Sequence, residues 1–187
     1  MRPRKTLGAL YGDSHRVSFG IFGHVLLAVV YFFAITIPLT MGTSHLPEFL
    51  VLNIPAGQYY AYEGFFILPV GLAATILTSG VIRLIARVWD GQGQFEDHFA
   101  LLGFSLIVVA VIIGLPDLMI GILVGNGVLL PLGWTFIGPH VWLGTIWYLL
   151  LVLLAVKEIE RLSWMRSIVL ALTGFAANGM VQFIFIR

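Results

Sequence analysis

FALLGFSLIVVAVIIGLPDLMIGILVGNGVLLPLGWTFIG, residues 99–138, is a forty-residue run whose single charged side chain is Asp117. The fold turns on whether this run crosses a membrane once or twice. A hydrocarbon core about 30 Å thick takes about 20 helical residues at about 1.5 Å each. The run therefore holds either one crossing with an irregular remainder or a hairpin of two. The flanking stretches leave less choice. Val17–Thr40 and Gly64–Ile82 contain no Asp, Glu, Lys or Arg, and neither does Leu118–Val156. Apolar residues make up 59% of the chain and charged residues 10%, against roughly 25% charged in soluble domains. A single membrane domain over 17–187, behind a short basic segment 1–16, is what this composition predicts.

Charge placement decides the number of crossings. One crossing in the forty-residue run gives five spans, at about 17–40, 63–88, 99–117, 140–156 and 164–186. Arg2, Arg4, Lys5, Arg16, Arg83, Arg87, Lys157, Arg161 and Arg166 then share one side, and only Arg187 lies on the other. Two crossings would move Lys157, Arg161 and Arg166 across. The excess of Lys and Arg on cytoplasmic loops favours five, with the N-terminus cytoplasmic and the C-terminus outside. Depth agrees, because Asp117 follows Phe99 by about 27 Å of helical rise, near the far interface. The remainder, 118–138, carries Gly121, Gly125, Gly127, Pro131 and Gly133, which suit an irregular or re-entrant segment covered by other spans or a partner. The expected fold class is thus an all-α integral membrane protein with five transmembrane helices. The basic N-terminus ahead of an apolar run looks like a secretory leader. That run exceeds the roughly 7–15 residues of a leader's apolar core and no small-x-small site follows, so the first span is expected to be retained.

Several chemistries are disfavoured at once. The chain has no cysteine, which removes disulfides, thiolate metal sites, iron–sulfur clusters, covalent haem and lipidation at cysteine. No Ser–His–Asp spacing, zinc motif or phosphate loop stands in the sequence, so neither catalysis nor a cofactor is expected. Beyond the first five residues there is no basic cluster for nucleic acid. Gly91-Gln92-Gly93-Gln94-Phe95-Glu96 begins like a dinucleotide fingerprint, but Glu96 stands where the third glycine belongs and a membrane span precedes it.

Read as a loop, the same stretch is more informative. Arg83 and Arg87 are one helical turn apart, where their stems can reach toward headgroups. Trp89 is an interfacial anchor, Gly91 and Gly93 permit a tight reversal, and Asp90, Glu96 and Asp97 are expected in water. Together with Phe95, the residues Arg83, Arg87, Trp89, Gly91 and Gly93 are candidates for contact with a partner or lipid; a purely topogenic loop is the alternative. His24 is the deepest ionisable residue, about 12 Å beyond Arg16. Such a residue is a functional candidate by default, yet no second histidine sits at its depth to share a haem. A hydrogen-bonded packing role is therefore expected. Asn178 and Gln182 share one face of the last span near Gly174 and Ala177, suiting close helix association or the lining of a solute path. His45, Glu48, Glu63, Asp117 and His140 fall at similar depth on the outer side, but their spacing does not make a metal site.

From Tyr59 onward the chain resembles the Yip family, the Ypt/Rab-interacting five-span membrane proteins. The most specific stretch is WDGQGQFEDHFALLGFS, Trp89 to Ser105. Tyr59-Tyr60-Ala61-Tyr62-Glu63 fits as well, as does Trp142–Ile168 with its Lys157-Glu158 and Leu162-Ser163-Trp164. For eukaryotic members the resemblance implies membrane trafficking and binding of prenylated GTPases through a long cytosolic N-terminal region. With 16 residues ahead of its first span, this chain is similar to the short prokaryotic-type members. The function this implies is a non-catalytic membrane organiser or scaffold in a prokaryotic cytoplasmic membrane. Its partners would be lipids, further copies of itself in a homo-oligomer, or other membrane proteins. An accessory subunit of a larger complex is the alternative. A small transporter or channel is another, although the odd span count and lack of an internal repeat speak against a duplicated core.

Overall fold

A backbone in lipid has to satisfy its N–H and C=O groups within its own segment, which makes helices of uncharged runs. The computed structural model describes residues 3–42, 52–128 and 138–185. A short α1 (Pro3–Tyr11) is followed by α2 (Arg16–Thr40) and α3 (Ala56–Val88). Next come α4 (Phe95–Val109) and α5 (Leu115–Gly125), and then α6 (Gly138–Glu160) and α7 (Trp164–Phe185). Between α4 and α5, Ala110–Gly114 makes a wider π turn, so residues 95–125 form one continuous rod. Five helical rods are long and apolar enough to cross a membrane, and among the described residues there is no strand. The forty-residue run crosses once.

That crossing is longer than the sequence suggests. It runs past Asp117 to Gly125, so the segment expected to be irregular from residue 118 begins as helix. Pro116 lies inside this continuous rod, two residues past the π turn that ends at Gly114. Gly121 and Gly125 then let the rod lie against Pro38 and Met41 at the end of α2. The rest of the expected irregular segment, 129–137, lies outside the described residues.

The rods associate through small residues, which matter most in lipid because burying apolar surface there gives little drive. At the crossing of α2 and α4 the backbones themselves touch. A Cβ on Gly103 would lie 2.6 Å from the Gly20 carbonyl oxygen, and one on Gly20 would lie 2.9 Å from Ala100 Cα. Helix α7 lies on α3 with Gly174 beneath Ile82 and Thr78, and Tyr59 Oη donates to the Phe185 carbonyl at 3.1 Å. Ile82, Ala86, Leu102, Leu106, Val152 and Leu170 form the central core. A second cluster seats Leu7 and Leu10 of α1 against Leu101, Leu151, Ala155 and Ile159. Among the described residues every Lys and Arg lies at the end of the bundle where α2, α4 and α7 begin. Glu63, Asp117 and His140 mark the far end.

Candidate functional site

At the basic end, the loop from α3 to α4 is closed from both sides. Asp90 takes a left-handed conformation (φ 58°); its N–H donates to the Arg87 carbonyl at 3.3 Å and that of Gly91 to the Ala86 carbonyl at 3.0 Å. This double bond pattern ends a helix in many proteins. Helix α4 starts with a reciprocal cap, in which the Gln94 N–H donates to Asp97 Oδ2 at 3.0 Å and the Gln94 side chain accepts from the Asp97 N–H. The other oxygen of Asp97 accepts from Arg16 Nε at 2.8 Å. Asp97 is 2% exposed, which corrects the expectation that it stands in water with Asp90 and Glu96. It caps one span and ties it to the start of another.

Glu160, at the end of α6, is the centre of this arrangement. Its side chain is buried, and Oε2 accepts from the Gly93 N–H at 3.0 Å. His98 Nε2 and Glu160 Oε1 are 2.6 Å apart, with the Nε2–H tautomer donating. Arg83 Nη1 donates to the Gly91 carbonyl at 3.0 Å and approaches Glu160 Oε2 at 3.5 Å. The reason for the glycines is closeness. Neither Gly91 nor Gly93 has a positive φ, but a side chain on either would run into the Glu160 carboxylate. One carboxylate thus joins the ends of α3 and α6, the start of α4 and the loop between them. Nearby, Lys157 Nζ donates to the Leu162 carbonyl, and Arg166 lies over the Trp89 ring at 5.8 Å.

A second polar feature lies inside the bundle. A cavity of about 320 Å³ is bounded by α2, α3, α4–α5, α6 and α7, and His24, Tyr31, Asp117, Tyr148, Asn178 and Gln182 line it. His24 is 3% exposed, stacks on Phe99 with ring centroids 5.9 Å apart, and has no hydrogen-bond partner at Nε2. Asp117 Oδ1 pairs with His140 Nε2 at 2.7 Å. Tyr31 Oη donates to Glu63 Oε1 at 3.0 Å, and Glu63 is fully buried. The π turn that lines the cavity through Ile113 and Gly114 is of a kind found often at functional sites. Among the described residues no three His, Asp or Glu side chains converge to hold a metal, and His45 and Glu48 lie outside them.

A model of the Yip1 domain matches residues 1–186. The chain belongs to the Yip1 family. No curated protein and no solved structure gave a significant match. The family match covers the first span as well as the stretch from Tyr59 that carries the resemblance in the sequence. The Yip1 family is not a family of enzymes, and this member is a multi-pass integral membrane protein.

Within this Yip1 chain the residues singled out from sequence fall into two places. Arg83, Gly91 and Gly93 belong to the Glu160 junction, turned toward one another. Arg87 and Phe95 are exposed beside it, and Trp89 is half-buried against the core. His24 on α2 meets Asn178 and Gln182 on α7 at the cavity, with three spans between them in sequence, while Gly174 lies one turn away against α3. Sequence reasoning missed Glu160 and His98 altogether. The available signal was weak: an acid ending one span, on the same side as an arginine ending another and a Gly-x-Gly between spans.

Proposed function

We propose that this Yip1 protein is a non-catalytic organiser of its membrane, acting through helix packing and through contacts with lipids and with other membrane proteins or copies of itself. Its basic end would face the cytoplasm of a prokaryotic cell, in keeping with the gathering of Lys and Arg on cytoplasmic loops. The observation that carries the reading is the Glu160 junction. The Glu160 carboxylate, the Gly93 N–H, Arg83 and His98 Nε2 are turned to one another across α3, α4 and α6, leaving the buried His98 Nδ1 without a partner, an arrangement that favours a rigid frame over a reacting centre. Outward from that frame stand Arg87, Phe95, Arg161, Trp164, Met165 and Arg166. Basic and aromatic side chains together suit anionic headgroups at a membrane interface.

Native mass measurement in lipid nanodiscs, with and without anionic lipid, tests this. The expected result is an assembly larger than one chain, or retained anionic lipid that is lost when Arg87, Arg161 and Arg166 are changed together to Gln. A different chain held in fixed ratio after purification from the native source would make the protein an accessory subunit instead. A single chain with neither companion nor bound lipid would overturn the proposal.

A further inference from the structure

The cavity has a chemical character of its own, independent of the scaffold reading. By helical rise His24 lies about 12 Å from the start of α2, and Asn178 and Gln182 lie about 21 and 27 Å from the start of α7. The cavity therefore runs from mid-bundle toward the far end. Among the described residues that line it there is no lysine or arginine, whereas Asp117 contributes a carboxylate. A second carboxylate, Glu63, stands one hydrogen bond behind the lining through Tyr31. The sequence places no Lys or Arg between Arg16 and Arg83 or between Arg87 and Lys157, so the basic groups near these acids are histidines, His140 paired with Asp117 at 2.7 Å and His24 in the lining. The rings of Tyr31, Tyr148 and Phe175 form part of the wall, and the amides of Asn178 and Gln182 offer carbonyl oxygens. His24 adds a buried ring nitrogen without a partner in the protein.

Carboxylate, aromatic faces and carbonyl oxygens around a space without lysine or arginine are what a cationic nitrogen requires; His140 engages one oxygen of Asp117, Oδ1, and leaves Oδ2 for the ligand. An ammonium group leaving water needs several such partners at once, and a charge-assisted bond, ring faces and carbonyl oxygens together supply them. We propose that this cavity binds a protonated amine, held by Asp117 and the Tyr31, Tyr148 and Phe175 rings, with Asn178, Gln182 and His24 accepting its remaining hydrogen bonds. The amine could be water-borne or could be the headgroup of an aminophospholipid; the recognition chemistry is shared.

Thermal unfolding of the purified full chain separates these sources. Ethanolamine is added in detergent, with glycerol as the uncharged control. In parallel, nanodiscs of phosphatidylcholine alone are compared with discs containing phosphatidylethanolamine or phosphatidylglycerol. A saturable rise in midpoint with ethanolamine identifies a water-borne amine. A rise with phosphatidylethanolamine discs alone, accompanied by that lipid on the released protein, identifies the headgroup. In either case Asp117→Asn should weaken the response about tenfold or more, the scale of a lost charge-assisted bond. Should that variant not fold, Gln182→Leu and Asn178→Leu must each weaken it. No rise with either amine source, an equal rise with glycerol or phosphatidylglycerol, or an undiminished response in the folded variants would overturn the proposal.

Discussion

Glu160 shows how a single side chain can set the geometry of an interface. A buried carboxylate is tolerable only when donors surround it, and here a backbone N–H, an imidazole and a guanidinium do so. Replacing it by alanine strips all three, and breaking a buried pair of this kind costs about 3–5 kcal/mol. Glu160→Ala is therefore expected to lower the unfolding midpoint sharply, and Glu160→Gln, which keeps one acceptor oxygen, to lower it less. Equal effects would mean that the retained acceptor oxygen contributes nothing, and a Gln variant as stable as the parent would mean that the charge is not what holds the loop. Gly93 tests the same contact from the other side. An added Cβ would meet Ile159 and the Glu160 carboxyl, 2.9 Å from Oε1. Gly93→Ala should cost about 1–3 kcal/mol by overpacking, while Gln92→Ala, at an exposed position, should change stability by less than about 0.5 kcal/mol. Neither Glu160 nor His98 was legible in the sequence. Glu160 lies 67 residues from Gly93 and 77 from Arg83, and in sequence it reads as one more interfacial charge beside Lys157 and Glu158.

Helices α2 and α4 illustrate a different limit on what sequence reveals. Gly20, Gly23 and Gly103 are glycines in apolar runs, and nothing local says that they face each other. In the folded chain they let two backbones touch, and backbone cannot give way as a flexible side chain can. Gly174 meets the tip of the Ile82 side chain instead, whose Cδ1 would lie 2.5 Å from an added Cβ. Gly103→Ala should consequently destabilise more than Gly174→Ala when thermal unfolding is compared in one detergent. The reverse order would remove the backbone contact from the account. The third crossing was legible in number but not in length. Asp117 suggested an interface, whereas the structure pairs it with His140 and carries the helix on to Gly125. The π turn at Ala110–Gly114 left no trace in the sequence, since any apolar residues would serve there.

The molecule as a whole was the most legible level. Runs of about 20 uncharged residues have few alternatives to a lipid-spanning helix, and the gathering of Lys and Arg selected five crossings over six. The cavity was legible only in pieces. His24, Asn178 and Gln182 stood out as polar residues in apolar spans, but their meeting at one space depends on how α2 and α7 pack around α3. Five alternating crossings with the basic end in the cytoplasm make a prediction that can be read directly. The chain lacks cysteine, so single cysteines report position without background. Gln92, Arg161 and Asn126 are all exposed, the first two at the basic end and the third at the far end. Added to intact cells, a membrane-impermeant thiol reagent should label Asn126→Cys, and should reach Gln92→Cys and Arg161→Cys only after the membrane is opened. Labelling of Gln92→Cys and Arg161→Cys from opposite sides, or of Asn126→Cys from the same side as both, would contradict the account.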